Sequence, residues 1–303
     1  EGFVTAARRV DPDPRQDLHN FPPDGAEGRR AAEMVRDHPR NRLITHLSRC
    51  CTVYRCPAAR NYFLSRYEAP LPTSTGCNAQ CVGCISLQEN TGIPCTQDRI
   101  DFLPTPEEIA EVALGHIQRT RKALVSFGQG CEGEPLTNWK TLLKAIRLIR
   151  SQTAEGTINL NTNASMPGAL GELFDAGLDS IRVSMNSARE DLYARYFRPV
   201  NYSFKDVVTS METARAKDKF VSVNYFVFPG VTDEAEELEA LIELYERTRF
   251  DMVQWRNLNI DPDLYLDTLG KELTPSLGVG AVMDRLKERF PELRYGYFNP
   301  AIK

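Results

Sequence analysis

The sequence predicts an α/β fold, a partial β/α barrel, and three observations carry this prediction. Short apolar runs rich in β-branched residues alternate with longer amphipathic stretches through the middle of the chain. Helical stretches begin with clear start signals, as at Thr105, which is followed by Pro106 and two acidic residues. The 303 residues, 42% hydrophobic and 26% charged, supply enough apolar side chains for one large core.

Six strands and six helices can be followed along the chain. The predicted strands are 69–75, 123–128, 157–163, 180–186, 220–228 and 252–259. The helical patterns begin at 105 and 232 and cover 138–150, 168–176, 188–196 and 203–216. This repeat predicts a partial (β/α)6 barrel at 69–260, with an N-terminal extension at 1–68 and a C-terminal extension at 261–303. Residues 1–35, rich in Pro, Asp, Arg and Gly, are expected either to drape over the body or to be partly extended.

Composition narrows the class of protein. The formal net charge of −4 argues against a general nucleic-acid binder, because such proteins carry a basic excess. No apolar run approaches the ~20 residues that cross a bilayer, and the first residues lack the apolar core of a signal peptide. We therefore predict a soluble, cytoplasmic protein with neither a membrane nor a nucleic acid as partner.

Three cysteines, Cys77, Cys81 and Cys84, have the spacing CxxxCxxC directly after the first predicted strand. The active site of a parallel β/α barrel lies on the loops at the C-terminal ends of its strands, so these thiols stand where chemistry is expected. Three thiolates can hold three irons of a [4Fe–4S] cluster and leave the fourth iron open. Zinc with a fourth ligand from elsewhere is the metal alternative. A buried helix face is a weaker interpretation, because Gly83 and polar residues interrupt it.

This motif, placed after the first strand of a β/α repeat, resembles the radical S-adenosylmethionine (radical SAM) superfamily, and the resemblance covers about residues 70–260. It implies that S-adenosylmethionine binds the open iron and that an electron from the cluster cleaves it to methionine and a 5′-deoxyadenosyl radical. That radical would abstract hydrogen from a substrate, and a donor such as flavodoxin or ferredoxin would supply the electron. Many members have an aromatic residue just before the last cysteine. Here it is Gly83, so we expect other groups to hold the adenine.

Further segments resemble the family's cofactor-binding motifs. SFGQGCEGEPL, at the end of the second strand, is similar to a glycine-rich motif through Gly133, Glu134 and Pro135. Its carbonyls and carboxylate are expected to accept hydrogen bonds from the methionine ammonium. RVSMNS, on the fourth strand, is similar to the family's S-L-D-S segment. Polar side chains on the third and fourth strands are expected to bind ribose or carboxylate: Asn161, Asn163, Ser184 and Asn186. Polar caps of βα turns are the structural alternative for each.

Two arginines after the fourth strand, Arg195 and Arg198, are candidates to bind the methionine carboxylate, and Arg198 fits the family's spacing better. The fifth strand ends in PGVTD, also similar to the superfamily, and its Asn224 is expected to point into the barrel. Trp255, on the last strand, is interpreted either as a wall of the adenine or substrate site or as barrel core. The C-terminal tail is expected to cover the barrel mouth.

Eight cysteines are too few for a disulfide scaffold in a chain of this length, so metal binding is the better interpretation. The five outside the CxxxCxxC motif are candidates for a second centre, either an iron–sulfur cluster or zinc: Cys50, Cys51, Cys56, Cys95 and Cys131. Cys131 has a second predicted role as a hydrogen donor to a substrate radical. Reduced, structural cysteines are the alternative for all five.

The sequence therefore predicts a radical SAM enzyme that acts on a small molecule or a peptide segment. The alternative is a zinc- or iron–sulfur-binding accessory protein without radical chemistry. We favour the enzyme because the cysteine motif, the GEP segment, the polar fourth strand and PGVTD fall in this order at the ends of successive strands.

Overall fold

The computed structural model describes residues 10–11, 21–22, 25–88, 92, 94–273 and 275–303. The expected course of residues 1–35 therefore lies largely outside the described residues. Three helices precede the sheet: α1 Ala26–Asp37, α2 Arg42–Thr52 and α3 Pro57–Phe63. Helix α1 begins within the segment that we expected to drape over the body or to be partly extended, and it packs on α2. The side chain of Asn41 caps α2 by accepting from the Ile44 N–H at 3.0 Å.

Seven parallel strands form one sheet, and their order in the sheet is their order in the chain. The strands are β1 Glu68–Pro70, β2 Leu124–Phe127, β3 Thr157–Thr162, β4 Ser180–Met185, β5 Phe220–Val227, β6 Met252–Asn257 and β7 Arg294–Gly296. The six predicted strands and the parallel β/α arrangement are confirmed. Strand β7 was not predicted, because a strand of three residues is too short to show a period.

Helices connect the strands and lie outside the sheet. They are α4 Pro106–Arg119, α5 Trp139–Gln152, α6 Pro167–Asp175, α7 Glu190–Phe197, α8 Phe204–Ala216, α9 Ala235–Thr248, α10 Pro262–Leu269 and α11 Val279–Arg289. The predicted cap of α4 is present: Thr105 Oγ1 accepts from the Glu108 N–H at 3.2 Å, and Glu108 accepts from the Thr105 N–H at 2.8 Å.

The strands alternate between an apolar face under the helices and a polar face inside the barrel. On β3, Ile158 and Leu160 are fully buried in the hydrophobic core. Asn159, between them, instead donates to Ser126 Oγ of β2 at 3.2 Å and to Asn161 Oδ1 at 2.9 Å. The barrel interior is thus lined by polar groups that mostly bond one another, as buried polar groups do.

The C-terminal tail crosses the open side of the barrel. Asn299 donates to Glu68 Oε1 of β1 at 2.9 Å and accepts from Gln254 Nε2 of β6 at 3.0 Å, so it links the two strands. The Ile302 N–H then donates to Thr157 Oγ1, at the start of β3, at 2.9 Å. The tail therefore does not cover the barrel mouth as expected. It ends beside Thr157, at the N-terminal end of β3, whereas the mouth lies at the C-terminal ends of the strands. Within the described part of the chain, no helix has the length and apolar composition needed to cross a membrane.

Candidate active site

The cysteine loop, residues 74–86, rests on the GEP turn, residues 128–136. The Gly133 N–H donates to Ser74 O at 2.8 Å, and the Glu134 N–H donates to Gly76 O at 2.9 Å. A Cβ atom on Gly133 would lie 1.9 Å from Gly76 O, well inside van der Waals contact. Glycine is required at position 133 because two backbones touch there.

The other side of the cysteine loop contacts the end of α7. The Val82 N–H donates to Tyr196 O at 3.1 Å. A Cβ atom on Gly83 would come within 2.4 Å of the Tyr196 hydroxyl and 2.7 Å of Ile260. This contact explains the glycine at position 83, because the Tyr196 side chain already fills the space that a larger residue would need.

A cavity of about 160 Å³ opens between the cysteine loop, the GEP turn and the ends of β3 and β4. Its walls include all three predicted cluster ligands and six predicted S-adenosylmethionine contacts: Cys77, Cys81, Cys84, Gly133, Glu134, Pro135, Asn161, Asn163 and Ser184. Arg198 lines an adjoining pocket of about 540 Å³, together with Cys81 and Cys84. The fold thus brings the motifs of four successive strands to one place.

The three loop thiols are free, with Cys77 exposed and Cys81 and Cys84 half-buried. Burial, and next the negative charge of neighbouring thiolates, raises the pKa of Cys81. A cationic centre reverses this tendency, because a metal binds the thiolate. Among the described residues, the group whose metal-ligating atoms all lie within 4.8 Å of one another is a different one, His46 and Cys50 on α2 with Cys131 on the GEP turn. The loop thiols are spaced more widely, which suits a cluster that takes one thiolate on each iron.

Arg99 adds a positive charge beside the loop. Its Nη2 lies 3.6 Å from Cys84 Sγ, and its Nε donates to Ser86 Oγ at 3.1 Å. Arg99 also lines the cavity. An N–H group aimed at a ligating sulfur stabilises negative charge on it, so Arg99 can tune the reduction potential of a bound cluster.

Two buried carboxylates of the GEP turn hold the strand ends in place. Glu132 accepts from the backbone N–H groups of Thr73 at 2.7 Å and Gly128 at 2.6 Å, so it joins β1 to β2. Glu134 accepts from the Asn163 N–H at 2.7 Å and from Thr162 Oγ1, so it joins the turn to β3. Burial raises the pKa of both carboxyls to about 7, and the hydrogen bonds that they accept oppose the rise.

Two donors that face the cavity lack partners among the described residues. Asn161 Nδ2 and Arg182 Nε are buried and unbonded, and both side chains line the cavity. Burial, and next the positive charge of Arg256, lowers the pKa of Arg182 to about 9. Leaving buried donors unpaired is costly, so these two atoms favour a bound ligand that carries acceptor groups.

Three residues predicted to contact S-adenosylmethionine form hydrogen bonds with other parts of the protein instead. Asn186 Nδ2 donates to Leu192 O at 3.2 Å, so it closes the start of α7. Arg195 Nη1 donates to Leu269 O at 2.8 Å and does not line the cavity. Asn224 Oδ1 accepts from Arg256 Nε at 3.1 Å, inside the barrel below the mouth.

Two further residues predicted for the site, Asn163 and Trp255, make contacts that stabilise the fold. Asn163 lines the cavity, but its side chain donates to Asn78 Oδ1 at 2.8 Å and so holds the cysteine loop. Trp255 is buried and packs edge-to-face on Tyr225 and Tyr295, with ring centroids 6.0 and 5.5 Å apart. Trp255 therefore belongs to the barrel core, one of its two interpretations.

The remaining cysteines do not gather at one point. Cys51 is buried, and its burial raises the pKa of its thiol to about 12. Cys95 is exposed, and Cys56 is half-buried at the start of α3. Cys50 and Cys131 lie together with His46. Cys131 does not line the cavity, so its placement gives no support to a role as hydrogen donor.

The sequence interpretation missed Arg99, Glu132 and Arg182. Arg182 had a readable signal, because it lies two residues before Ser184 and therefore on the same face of the strand. Glu132 adjoins the GEP motif but matches no part of it. Arg99 lies in a stretch without periodicity, and only the folded loop brings it to Cys84.

The sequence profile described as "Radical SAM superfamily" matches residues 71–244, more than half of the chain. With a parallel β/α sheet and three cysteines at the end of its first strand, the chain belongs to the radical SAM superfamily. Membership implies an iron–sulfur cluster and the reductive cleavage of S-adenosylmethionine.

Curated relatives match part of the chain. It is 27% identical to the FeMo cofactor biosynthesis protein NifB of Klebsiella pneumoniae, over 54% of this chain and 37% of that protein. It is 28% identical to a GTP 3′,8-cyclase of Heliobacterium modesticaldum, over 52% of this chain and 45% of the cyclase. It is 24% identical to a probable dual-specificity RNA methyltransferase RlmN of Thermotoga sp. (strain RQ2), over 61% of this chain and 53% of that protein. The chain thus spans about half or less of these relatives.

Solved structures share the fold at low identity. The structure of methylornithine synthase (PylB) gives a TM-score of 0.53 at 17% identity, covering 89% of this chain and 78% of that chain. A radical SAM methyltransferase from Sphaerobacter thermophilus gives 0.51 at 17% identity, covering 75% of this chain and 66% of that chain. At this identity the likeness shows the fold alone.

Proposed function

We propose that this chain holds a [4Fe–4S] cluster on Cys77, Cys81 and Cys84 and binds S-adenosylmethionine in the adjoining 160 Å³ cavity. The observation that carries the proposal is the cavity itself. Three free thiols, a tight glycine turn and two unbonded buried donors face the same space. Buried donors are normally hydrogen-bonded, so two unbonded donors beside three free thiols support the binding of a ligand in this space.

The residues of the cavity fit both groups. The three thiolates are the ligands that iron–sulfur clusters require, and one short loop carries them all. When bound, the two groups supply a one-electron cleavage that yields a 5′-deoxyadenosyl radical able to abstract hydrogen from a substrate. Arg99 holds a positive charge at Cys84, and Glu132 fixes the ends of β1 and β2 around the loop.

Arg182 is our candidate for the methionine carboxylate, in place of Arg195. A guanidinium with an unbonded N–H binds a carboxylate strongly, particularly where water is partly excluded. Asn161 Nδ2 offers a second donor on the neighbouring strand. Glu134 Oε2 accepts from the Asn163 N–H, and an oxygen with this one donor keeps capacity to accept from the methionine ammonium. Arg198, at the edge of the larger pocket, remains a candidate for the same carboxylate.

The substrate is proposed to be a small molecule or a peptide segment. The pocket of about 540 Å³ shares Cys81 and Cys84 with the cofactor cavity, so a substrate there would lie beside the reacting group. We also propose a reduced flavodoxin or ferredoxin as electron donor and a cytoplasmic setting, because a reducing compartment keeps these thiols free.

Binding of S-adenosylmethionine tests the assignment of Arg182. Anaerobically reconstituted protein is titrated by calorimetry, and Arg182→Gln is expected to weaken binding about ten- to a hundred-fold, as for a lost charge-assisted hydrogen bond. Arg195→Gln is the matched control, since its guanidinium lies outside the cavity, and its affinity is expected to stay unchanged. Equal affinities in wild type and Arg182→Gln would reject the assignment, and a loss in Arg198→Gln instead would return the carboxylate to Arg198.

A further inference from the structure

A second group of metal-ligating side chains lies behind the GEP turn, outside the cofactor cavity. It consists of His46 and Cys50 on α2 and Cys131 on the turn, and its nitrogen and sulfur atoms all lie within 4.8 Å of one another. His46 and Cys50 are four residues apart on one helix, so they project from the same face. Cys131 comes from a segment 81 residues later in the chain and meets them only through the fold.

The spacing of these atoms matches that of ligands on a single ion. His46 Nε2 and Cys50 Sγ are 3.5 Å apart. Tetrahedral zinc with its usual bond lengths places a sulfur and a nitrogen ligand about 3.6 Å apart and two sulfurs about 3.8 Å apart. An iron–sulfur cube would need its thiolates on separate irons, farther from one another.

The chemistry of the set also suits zinc. Two thiolates and one imidazole are ligands that zinc prefers, whereas hard cations take oxygen. Zinc takes four ligands, so water would complete the coordination of the three side chains.

We propose that His46, Cys50 and Cys131 bind one zinc ion that fastens α2 to the GEP turn. The position gives this ion a consequence for the active site. Cys131 directly precedes Glu132, which fixes the ends of β1 and β2. The Cys131 carbonyl accepts from the Ile100 N–H at 2.8 Å. A zinc ion bound to Cys131 would hold the GEP turn, which forms one wall of the cofactor cavity, against helix α2. Of the five cysteines predicted for a second centre, this assigns two and adds His46.

Zinc counting tests the proposal without any need for the cluster or for activity. The three loop cysteines are first replaced by alanine in the full chain, which removes the first site. Purified with Zn²⁺ in the medium and dialysed, this protein is expected to retain about one zinc per chain by mass spectrometry. Cys50→Ser, Cys131→Ser and His46→Gln in the same background are each expected to bring the zinc content to background.

Matched controls separate ligand loss from damage to the fold. Cys51→Ser changes the next residue of the same helix, and Cys95→Ser changes an exposed thiol, so both are expected to keep the zinc. Circular dichroism of each variant reports whether the fold survives. Removing zinc from the unaltered site with a chelator is expected to lower the melting temperature, and adding Zn²⁺ back is expected to restore it.

Three results would overturn the proposal. One is zinc at background in the parent protein. Another is equal zinc in the parent and in Cys50→Ser. The third is a count of free thiols, taken in denaturant without reductant, that falls short by two and reveals a disulfide between Cys50 and Cys131. Any of these results would reject the zinc site alone. The proposed binding of S-adenosylmethionine in the cofactor cavity would not be affected, because the loop cysteines are absent from the proteins measured.

Discussion

Two buried glutamates, Glu134 on the turn after β2 and Glu237 on α9 after β5, have similar bonds but different surroundings. Glu134 accepts from the Leu136 N–H at 3.1 Å, from Thr162 and from the Asn163 N–H. Glu237 accepts from Ser187 Oγ at 2.6 Å, from the Ala188 N–H and from Tyr225. Burial raises the pKa of both carboxyls. A buried carboxylate therefore does not by itself mark a site.

The surroundings make the difference. Glu134 faces a cavity shared with three free thiols and two unbonded donors, whereas Glu237 lines none of the cavities described above. The PGVTD segment before Glu237 is likewise closed on itself, since Asp233 accepts from the Gly230 N–H at 2.6 Å and Thr232 donates to Phe226 O at 2.9 Å. The surroundings of Glu134 are those of a binding site, whereas the contacts of Glu237 on α9 hold together the ends of β4 and β5.

The largest expected effect follows from removing a cluster ligand. Cys81→Ala should lose most of the iron bound after anaerobic reconstitution, because two thiolates do not hold a cube that needs three. Circular dichroism should remain that of the wild type, since the seven-strand core does not depend on the metal. Cys95→Ala is the matched control, an exposed thiol downstream of the loop, and it should keep its iron. Full iron in Cys81→Ala would remove the loop from the site.

A smaller effect is expected from one added methyl group between the loop and the turn. Gly133→Ala places a Cβ 1.9 Å from Gly76 O, and neither backbone can move without displacing the cysteine loop. We expect a loss of stability of at least about 1–3 kcal/mol in urea unfolding, together with reduced iron. Gly168→Ala, in α6, adds a Cβ with no atom within 4 Å and should keep its iron, with stability unchanged or raised by up to about 1 kcal/mol because Ala favours the helix. Equal behaviour of the two variants would show that the loop does not rest on the turn.

The smallest effects are expected from replacing each of the two glutamates by glutamine and comparing stability and affinity for S-adenosylmethionine. Glu237→Gln should lower the free energy of unfolding by about 1–3 kcal/mol through a mismatched buried hydrogen bond, with no change in affinity for S-adenosylmethionine. Glu134→Gln should lose similar stability and also bind S-adenosylmethionine about tenfold more weakly. The comparison between the regions fails if the affinity falls in Glu237→Gln and not in Glu134→Gln.

Much of the fold was readable from the sequence, because strands β2 to β6 are runs of four or more apolar or alternating residues bounded by polar turns. The cysteine loop was readable because its spacing is local. Strand β7 and the course of the tail were not, since a three-residue strand and the contact between Asn299 and Glu68 depend on residues far apart in the chain. The same reason hid Arg99 and the meeting of His46 with Cys131.

Side-chain direction was the least predictable property of the site. Asn161, Asn163 and Asn186 have the same chemistry and lie at or just after the C-terminal ends of strands, yet one has an unbonded Nδ2, one holds the cysteine loop and one closes a helix. Which of these occurs depends on the partners that the neighbouring loops offer. No local pattern encodes that choice.

The electron paramagnetic resonance spectrum of the reduced, anaerobically reconstituted protein tests the central claim most directly. The wild type should show the signal of a reduced [4Fe–4S] cluster, and its g values should shift when S-adenosylmethionine binds at the open iron. Cys81→Ala should show neither the signal nor the shift. A cluster signal that persists in Cys81→Ala, or a wild-type spectrum that saturating S-adenosylmethionine leaves unchanged, would contradict the assignment of this cavity.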